Sequence, residues 1–214
     1  DRVHVVYTGI SLDGYKLEQS QPEIPTIGYL SRMCSDRGLG TLVDAFVKLK
    51  QNEKLGKTKL RIAGGKRADD EAFLNQIRQQ LSSCGLIDDV EFLPDFGRNA
   101  RVAFLQSLSV LSVPERQPIA YGMYVLEALA AGVPVVEPAS GVFPELLEMT
   151  GGGVLCEPNS ADALAAAMEP LLLKPDYARK LGKQGRDAVF ERFNIEQTAR
   201  EMVRIYGEIG QQLV

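Results

Sequence analysis

The sequence contains no tryptophan, a single histidine (His4) and three cysteines among its 214 residues. Cys34, Cys84 and Cys156 are odd in number and lie far apart, so they predict reduced thiols in a cytosolic setting rather than a disulfide framework. Because the histidine lies in the first few residues, we expect no catalytic role for it. No grouping of His, Cys, Asp and Glu has metal-ligand spacing, which predicts a protein without a metal site or a bound cofactor.

Long apolar runs and long basic runs are missing as well. No apolar stretch approaches the length of a membrane span and no signal peptide opens the sequence, so we expect a cytoplasmic protein. The net charge of −4, without a basic cluster, argues against nucleic acid as the main partner. The sequence begins at Asp1 without a methionine, and we expect it to be a fragment of a longer polypeptide.

Short apolar runs alternate with amphipathic segments along the chain. Strands are predicted at 26–30, 60–63, 90–93, 109–113, 133–136 and 154–156, with helices between them and at 161–173, 176–193 and 195–214. Strands this apolar, separated by helices, form a parallel sheet that is covered on both faces. We therefore predict an α/β, Rossmann-like, doubly wound domain over 26–193, after a linker over 1–25 and before a C-terminal helix over 194–214.

The stretch 114–138 has the pattern of a phosphate site. Gly122 stands where a loop becomes a helix, and Val125 and Leu126 begin the apolar face of that helix. A helix that starts at the edge of a parallel sheet presents free backbone N–H groups and the positive end of its dipole. Glu127, little more than one turn into the helix, is placed to bond ribose hydroxyls; the alternative is an acid on the wet face.

Two arginines follow the first predicted strand, on the edge of the sheet where ligands bind in doubly wound folds. The guanidiniums of Arg32 and Arg37 have the forked donors that suit a diphosphate; the alternative is two solvated surface arginines. Ser35 or Asp36 is predicted to cap the helix that follows. Gly64-Gly65-Lys66, after the second strand, lacks the spacing of known phosphate loops and is interpreted as a plain turn.

Taken together, these motifs resemble the C-terminal half of a GT-B glycosyltransferase of family 4. Residues 31–33 with Arg37-Gly38 are similar to the family's Gly-Arg-Leu…Lys-Gly loop. The sequence YGMYVLEALAAGVPVV at 121–136 is similar to its Phe-Gly…Glu-Ala…Gly…Pro-Val-Val segment. Residues 141–145 resemble its Gly-Gly…Pro-Glu turn, 153–158 the strand after that turn, and Phe193 the closing segment.

The resemblance implies a retaining, metal-independent hexosyltransferase whose donor is a nucleotide-diphosphate sugar, linked to UDP, GDP or ADP. According to this resemblance, Arg32 and Arg37 are the catalytic residues and hold the diphosphate, with help from backbone N–H groups of 123–126. Glu127 binds the ribose. Leu93 to Asp95 would meet the base through the main chain. The substrate-binding set implied in this way is Ser31, Leu93, Asp95, Glu115, Gly122, Met123, Tyr124, Val125, Leu126 and Glu127.

The resemblance also implies a partner. A GT-B enzyme closes two Rossmann-like domains over its substrates, and the N-terminal domain carries much of the acceptor site. We expect that domain to be missing from this chain, and any peripheral membrane contact to be made through it. The chain alone is then expected to bind nucleotide and to transfer little or no sugar.

Several positions depart from the family pattern. The family's paired glutamates are eight residues apart, but Ile119 stands eight before Glu127. Either Glu115 reaches the donor sugar from a remodelled loop, or the sugar contact is lost or different. Arg37 stands where lysine is usual, and Ser31 replaces a glycine. A non-catalytic nucleotide-sugar-binding module of degenerate GT-B type, or a GT-B epimerase or phosphorylase, are the alternative functions.

Overall fold

Six parallel strands form one sheet in the computed structural model, which describes residues 3–15, 22–93 and 97–212, the last three by their backbone only. The strands are β1 (Thr26–Leu30), β2 (Lys59–Ala63), β3 (Val90–Leu93), β4 (Val110–Leu111), β5 (Val135–Pro138) and β6 (Gly153–Cys156). They lie in the order β3-β2-β1-β4-β5-β6, and every neighbouring pair is parallel. This is the strand order of a doubly wound domain, with its switch point between β1 and β4.

Eight helices in the described part of the chain cover both faces of the sheet. They are α1 (Leu39–Leu49), α2 (Glu71–Ser83), α3 (Arg98–Gln106), α4 (Met123–Ala130), α5 (Phe143–Thr150), α6 (Ala161–Leu173), α7 (Pro175–Arg192) and α8 (Ile195–Gln212). One buried cluster joins α1, α2 and α6 to one face of the sheet, and a second joins α3, α4, α5 and α7 to the other. Neighbouring strand residues alternate between them: Val135 packs in the second cluster and Val136 in the first. The predicted Rossmann-like architecture is confirmed.

Two predicted strands have wrong bounds. The strand predicted at 109–113 is only β4: Ser112 still donates its N–H to Gly28 of β1, but the N–H of Val113 donates to the side chain of Glu137. The strand predicted at 133–136 begins two residues late, because Val133 donates its N–H to Ala128 and so closes α4.

The predicted cap of α1 is also wrong. Neither Ser35 nor Asp36 caps the helix; the cap residue is Gly38, with φ of 71° and no side-chain hydrogen bond. A Cβ atom on Gly38 would lie 1.8 Å from the carbonyl oxygen of Pro114. Only glycine permits this approach in a left-handed backbone conformation. The loop after β1 is thereby packed directly on the loop after β4.

The N-terminal linker, where it is described, is held against the break between α7 and α8. Ile10 receives a hydrogen bond from Ile195 and donates its own N–H to Phe193, forming a parallel bridge beside Asn194. Ile10 and Tyr15 are buried in the second core cluster. The division at 25 and at 193 stays a prediction. Within the described ranges, no helix is both long enough and apolar enough to cross a membrane.

Candidate functional site

The carboxyl ends of β1 and β4 bring two of the predicted loops together. Arg32 and Arg37 lie in the loop after β1, and the loop after β4 carries Glu115 and leads to Gly122. Besides the packing of Gly38, the N–H of Arg116 donates to the carbonyl of Asp36 at 3.2 Å. The site therefore forms at the switch point of the sheet, as expected for this strand order.

Arg37 and Glu115 form an ion pair in this place. Nη1 of Arg37 lies 2.7 Å from Oε1 of Glu115. The Glu115 side chain is 2% exposed, whereas that of Arg37 is 43% exposed. Burial raises the pKa of Glu115, and the guanidinium of Arg37 opposes that shift. The predicted substrate ligand Glu115 is thus turned inward to Arg37, while the arginine reaches solvent.

A second buried carboxyl, Glu137, lies behind this pair at the end of β5 and was not predicted from the sequence. Its Oε1 accepts the N–H of Val113 at 3.2 Å, and its Oε2 has no hydrogen-bond partner among the described residues. Burial holds the pKa of Glu137 well above its usual range, and the charge of Glu115 adds to the shift. Both effects favour the protonated form of this carboxyl. The one sequence signal was a glutamate among the valines of a buried strand.

Arg32 is anchored differently from Arg37. Its Nε donates to the sulfur of Cys34 at 3.2 Å and lies 3.9 Å from Oδ2 of Asp70. The hydroxyl of Tyr29, buried in β1, lies 2.7 Å from the carbonyl of Arg32 and 3.3 Å from that of Arg37. One phenol therefore holds both ends of the arginine loop, a role that sequence reasoning missed.

The first turn of α4 completes this edge of the site. Gly122 is the cap residue, without a side-chain hydrogen bond, so the first N–H groups of the helix are left for a ligand or solvent. The side chains of Val125 and Leu126 are buried in the core, and their N–H groups donate to the carbonyl of Gly122 at 2.9 and 3.4 Å. The N–H groups that begin the helix are therefore those of Met123 and Tyr124. The Tyr124 hydroxyl donates to the carbonyl of Val113 at 3.4 Å. This turn offers backbone donors and a positive dipole end to an anion.

Glu127 is not on a wet face. Its side chain is 21% exposed and its Oε1 lies 3.3 Å from Nη1 of Arg101 on α3. Burial raises the pKa of Glu127, while Arg101 and Arg98 lower it. Glu127, Met123 and the two arginines line a cavity of about 410 Å³ that is closed on its other side by the linker. The N-terminal linker is fixed there because Arg98 donates to the carbonyls of Ser11 and Asp13 at 2.8 and 3.0 Å.

A second cavity, of about 310 Å³, opens at the carboxyl ends of β2 and β3. Its lining includes Leu93, Met33 and the turn Gly64-Gly65-Lys66. The turn packs on the arginine loop: a Cβ atom on Gly64 would lie 2.0 Å from the carbonyl oxygen of Ser31. The predicted residue Leu93 thus lies at this cavity. Asp95 lies outside the described residues.

The region expected to meet the donor sugar is less polar than the arginine loop. Ile119 is half-buried against the second core cluster, and its carbonyl accepts the N–H of Val142 at 3.0 Å. Glu145, a further acid near this loop, accepts a hydrogen bond from the hydroxyl of Tyr7 at 2.5 Å. No group of three or more His, Cys, Asp or Glu side chains within 3–15, 22–93 and 97–212 is arranged to hold a metal ion.

Comparison with known proteins identifies a matching family and a related enzyme. A family model described as "Glycosyl transferases group 1" matches residues 16–188. A GDP-mannose-dependent alpha-(1-6)-phosphatidylinositol monomannoside mannosyltransferase of Mycobacterium tuberculosis is 31% identical over 173 residues, which are 78% of this chain and 43% of the relative.

Solved structures share the fold. Sucrose-phosphate synthase from Thermosynechococcus elongatus superposes with a TM-score of 0.82 at 26% identity, over 98% of this chain and 53% of that one. Anabaena Alr3699/HepE in complex with UDP and glucose gives a TM-score of 0.81 at 18% identity, over 96% of this chain and 57% of that one. The chain spans about half the length of these relatives.

Proposed function

The chain belongs to the glycosyl transferases group 1 family, and we propose that it is the donor-binding domain of a retaining, metal-independent glycosyltransferase of family 4. Such an enzyme transfers a hexose from a nucleotide-diphosphate sugar to an acceptor. The observation that carries the proposal is the packing of the Arg32 and Arg37 loop on the loop after β4, which leads to the first turn of α4, at the switch point of the sheet.

The diphosphate lies between these two elements in our proposal. Arg37 is 43% exposed and Arg32 is 31% exposed at the side chain, so both guanidiniums reach a ligand at this edge. Negative charge develops on the leaving diphosphate as the glycosidic bond breaks. Fixed positive groups that stabilise that charge lower the barrier. Arg32, Arg37 and the N–H groups of Met123 and Tyr124 have this role, since those of Val125 and Leu126 donate to Gly122.

The nucleoside extends from the diphosphate towards Glu127 and Leu93. The Glu127 carboxylate accepts hydrogen bonds from ribose hydroxyls at the mouth of the 410 Å³ cavity. The base meets the main chain of 93–95 in our proposal, and Leu93 of this segment lines the 310 Å³ cavity. Ser31 lies where the arginine loop begins and borders the phosphate.

The remaining parts of the proposal concern the whole protein. Because the chain spans about half the length of its relatives, an acceptor domain elsewhere in the same polypeptide is the proposed partner. The Anabaena structures contain UDP or UDP-glucose, which supports a nucleotide sugar as ligand without fixing its base. We place the protein in the cytoplasm, with any membrane contact made by the acceptor domain, and propose that this chain alone transfers little or no sugar.

One alternative has an observation in its favour. Ile119 stands where the family has a glutamate, and Glu115 is buried against Arg37 instead of facing solvent. A nucleotide-sugar-binding module without transferase activity would have this arrangement. Full-length protein that neither hydrolyses nor transfers from any UDP-, GDP- or ADP-sugar would favour the module.

A thermal-shift panel tests the site itself. The chain is heated with UDP, GDP or ADP, each with and without EDTA. The matching diphosphate should stabilise the fold by about 3 kcal/mol at roughly a hundredfold excess over its dissociation constant. EDTA should leave this shift unchanged, because the arginines and α4 provide the positive charge. Absence of a shift with all three diphosphates would overturn the proposed function.

A further inference from the structure

Arg37 is paired with a buried carboxylate, Glu115, for which the loss of its counterion would be energetically unfavourable. The Glu115 side chain is 2% exposed, and Arg37 at 2.7 Å is its hydrogen-bond partner. Removing the partner of a buried ion pair leaves an uncompensated charge out of water, which is strongly unfavourable. A ligand that pulled Arg37 away from Glu115 would create that state. The pair must therefore persist when a ligand binds.

Arg37 can keep Glu115 and still bind a ligand. A guanidinium has five N–H donors in a planar fork. Among the described residues, Glu115 takes one donor through Nη1, and no further acceptor contacts the Arg37 side chain. The remaining donors belong to a side chain that is 43% exposed at the ligand edge of the sheet.

The structure around Glu115 is built to fix it. Its backbone N–H donates to the carbonyl of Val113 at 2.7 Å, and the N–H of Val113 donates in turn to Glu137. The Tyr124 hydroxyl also reaches the Val113 carbonyl. Through this bond to Val113, which lies two residues before Glu115, Glu137 joins the loop after β4 to the end of β5. Burial favours the protonated form of Glu137, since it raises the pKa well above the usual range.

The charges near Glu115 leave Arg37 as its counterion. Burial favours the protonated form of Glu137, and the negative charge of Asp36 raises the pKa of Glu115. The buried phenols of Tyr29 and Tyr124 are uncharged, because burial raises the pKa of both. The carboxylate of Glu115 is therefore paired with the guanidinium of Arg37, and this ion pair fixes the orientation of the arginine side chain.

We propose that Glu115 is a positioning residue, which anchors Arg37 through Nη1 so that the other guanidinium donors face the diphosphate, and does not itself contact the donor sugar. The inference rests on the proposed function, since it requires a diphosphate at Arg37. It resolves the two possibilities left by Ile119: the donor-sugar contact is not restored by Glu115. In this protein Glu115, which lies four residues before Ile119, acts through Arg37.

Binding measurements on the 214-residue chain test this role. Dissociation constants are measured by calorimetry for UDP, GDP and ADP and for their nucleosides, with the wild type, Glu115→Ala, Glu115→Gln, Arg37→Ala and the double variant Glu115→Ala/Arg37→Ala. Glu91→Ala is the matched control, because it also removes a carboxylate 2.6 Å from an arginine, Arg61, away from the site.

Glu115→Ala should weaken binding of the matching diphosphate by about tenfold or more, the effect of a lost hydrogen bond to a charged group, and leave nucleoside binding unchanged. Glu115→Gln keeps an acceptor for Nη1 and should lose less. It also replaces the alanine variant in the comparison if that variant does not fold. The double variant should bind no worse than Arg37→Ala, because Glu115 acts only through Arg37. Glu91→Ala should bind like the wild type.

The opposite results are distinct. Tighter diphosphate binding by Glu115→Ala would mean that the carboxylate competes with the ligand for Arg37, and unchanged binding by both Glu115 variants would mean that it has no role. Either outcome overturns the inference alone, provided that Arg37→Ala loses affinity. If the wild type binds none of the three diphosphates, the proposed function fails and the inference fails with it.

Discussion

The guanidinium of Arg101 on α3 lies 3.3 Å from the carboxylate of Glu127 on α4, at the wall of the 410 Å³ cavity. Burial would otherwise favour the protonated form of Glu127, and Arg101 with Arg98 counteracts it. The pKa of Glu127 remains raised, but the arginines favour the ionised form, which is the form that would accept hydrogen bonds from the ribose hydroxyls in our proposal. Replacing Arg101 should change this acid without touching the diphosphate.

Arg101→Leu should raise the pKa of Glu127 further and weaken nucleotide binding, more at about pH 5 than at about pH 8. The loss is larger at low pH because a raised pKa lets Glu127 stay protonated up to a higher pH, and the protonated acid is a poorer hydrogen-bond acceptor. Calorimetry with the matching nucleoside diphosphate and its 2′-deoxy form measures the effect, and the preference for ribose should shrink. Arg179→Gln on α7, which removes an exposed arginine from Asp176, is the control. Equal losses at both pH values would contradict the role given to Arg101.

Arg32→Ala should weaken binding of the diphosphate more than binding of the nucleoside, because the guanidinium contributes charge where the phosphates lie. The loss should be about tenfold or more for the diphosphate, as for a charge-assisted hydrogen bond. Arg200→Ala, on the exposed side of α8, is the comparison. If the nucleoside and the diphosphate lose affinity equally, Arg32 supports the loop and does not bind phosphate.

Tyr29→Phe should lower the free energy of unfolding by about 1 to 2 kcal/mol, because the half-buried carbonyls of Arg32 and Arg37 lose the buried hydroxyl that bonds to them. Urea denaturation measures the change. Tyr206→Phe, at a position that is 63% exposed on α8, should leave stability as it is. Diphosphate affinity should fall in the Tyr29 variant as well, since both arginines depend on this loop. If the variant is as stable as the wild type, the hydroxyl of Tyr29 does not stabilise the arginine loop.

Glu137→Gln should make stability less dependent on pH. The folded-state pKa of Glu137 lies above the unfolded value, so the buried neutral acid is most favourable at low pH and loses stability as pH rises towards the folded-state pKa. The loss amounts to about 1.4 kcal/mol for each pH unit in that window. The glutamine cannot ionise and still accepts the N–H of Val113. Melting temperatures at about pH 5 and about pH 8 should show the variant gaining on the wild type at the higher value. A constant difference would show that Glu137 does not titrate in this range.

Much of the fold could be predicted because it depends on local patterns. Apolar runs of strand length and helices of regular spacing predict all six strands to within two residues at each end, although β4 is shorter than predicted. The switch point then followed from the strand order that such domains share. This is why Arg32, Arg37 and Gly122 were expected on one edge before any contact was known.

The details that the sequence could not provide are contacts between distant segments. Arg37 and Glu115 are 78 residues apart, and nothing local indicates that Glu115 is buried. Glu137 follows two valines in a strand, where a charged residue has no periodic signal. Arg101 lies in an amphipathic helix, where a polar side chain is ordinary. Each becomes functional only through the packing of another helix or loop against it.

Position 38 can be viewed as a spacer between the two halves of the site. Any Cβ atom there would collide with the main chain at Pro114, which lies next to Glu115. In a saturation library at this position, the side chains would be ranked by the separation that they force between the two loops, and hardly at all by their polarity. Alanine, the smallest change, would already move the arginine loop away from the loop after β4. Glycine at this position therefore sets the separation of the two loops that form the candidate site.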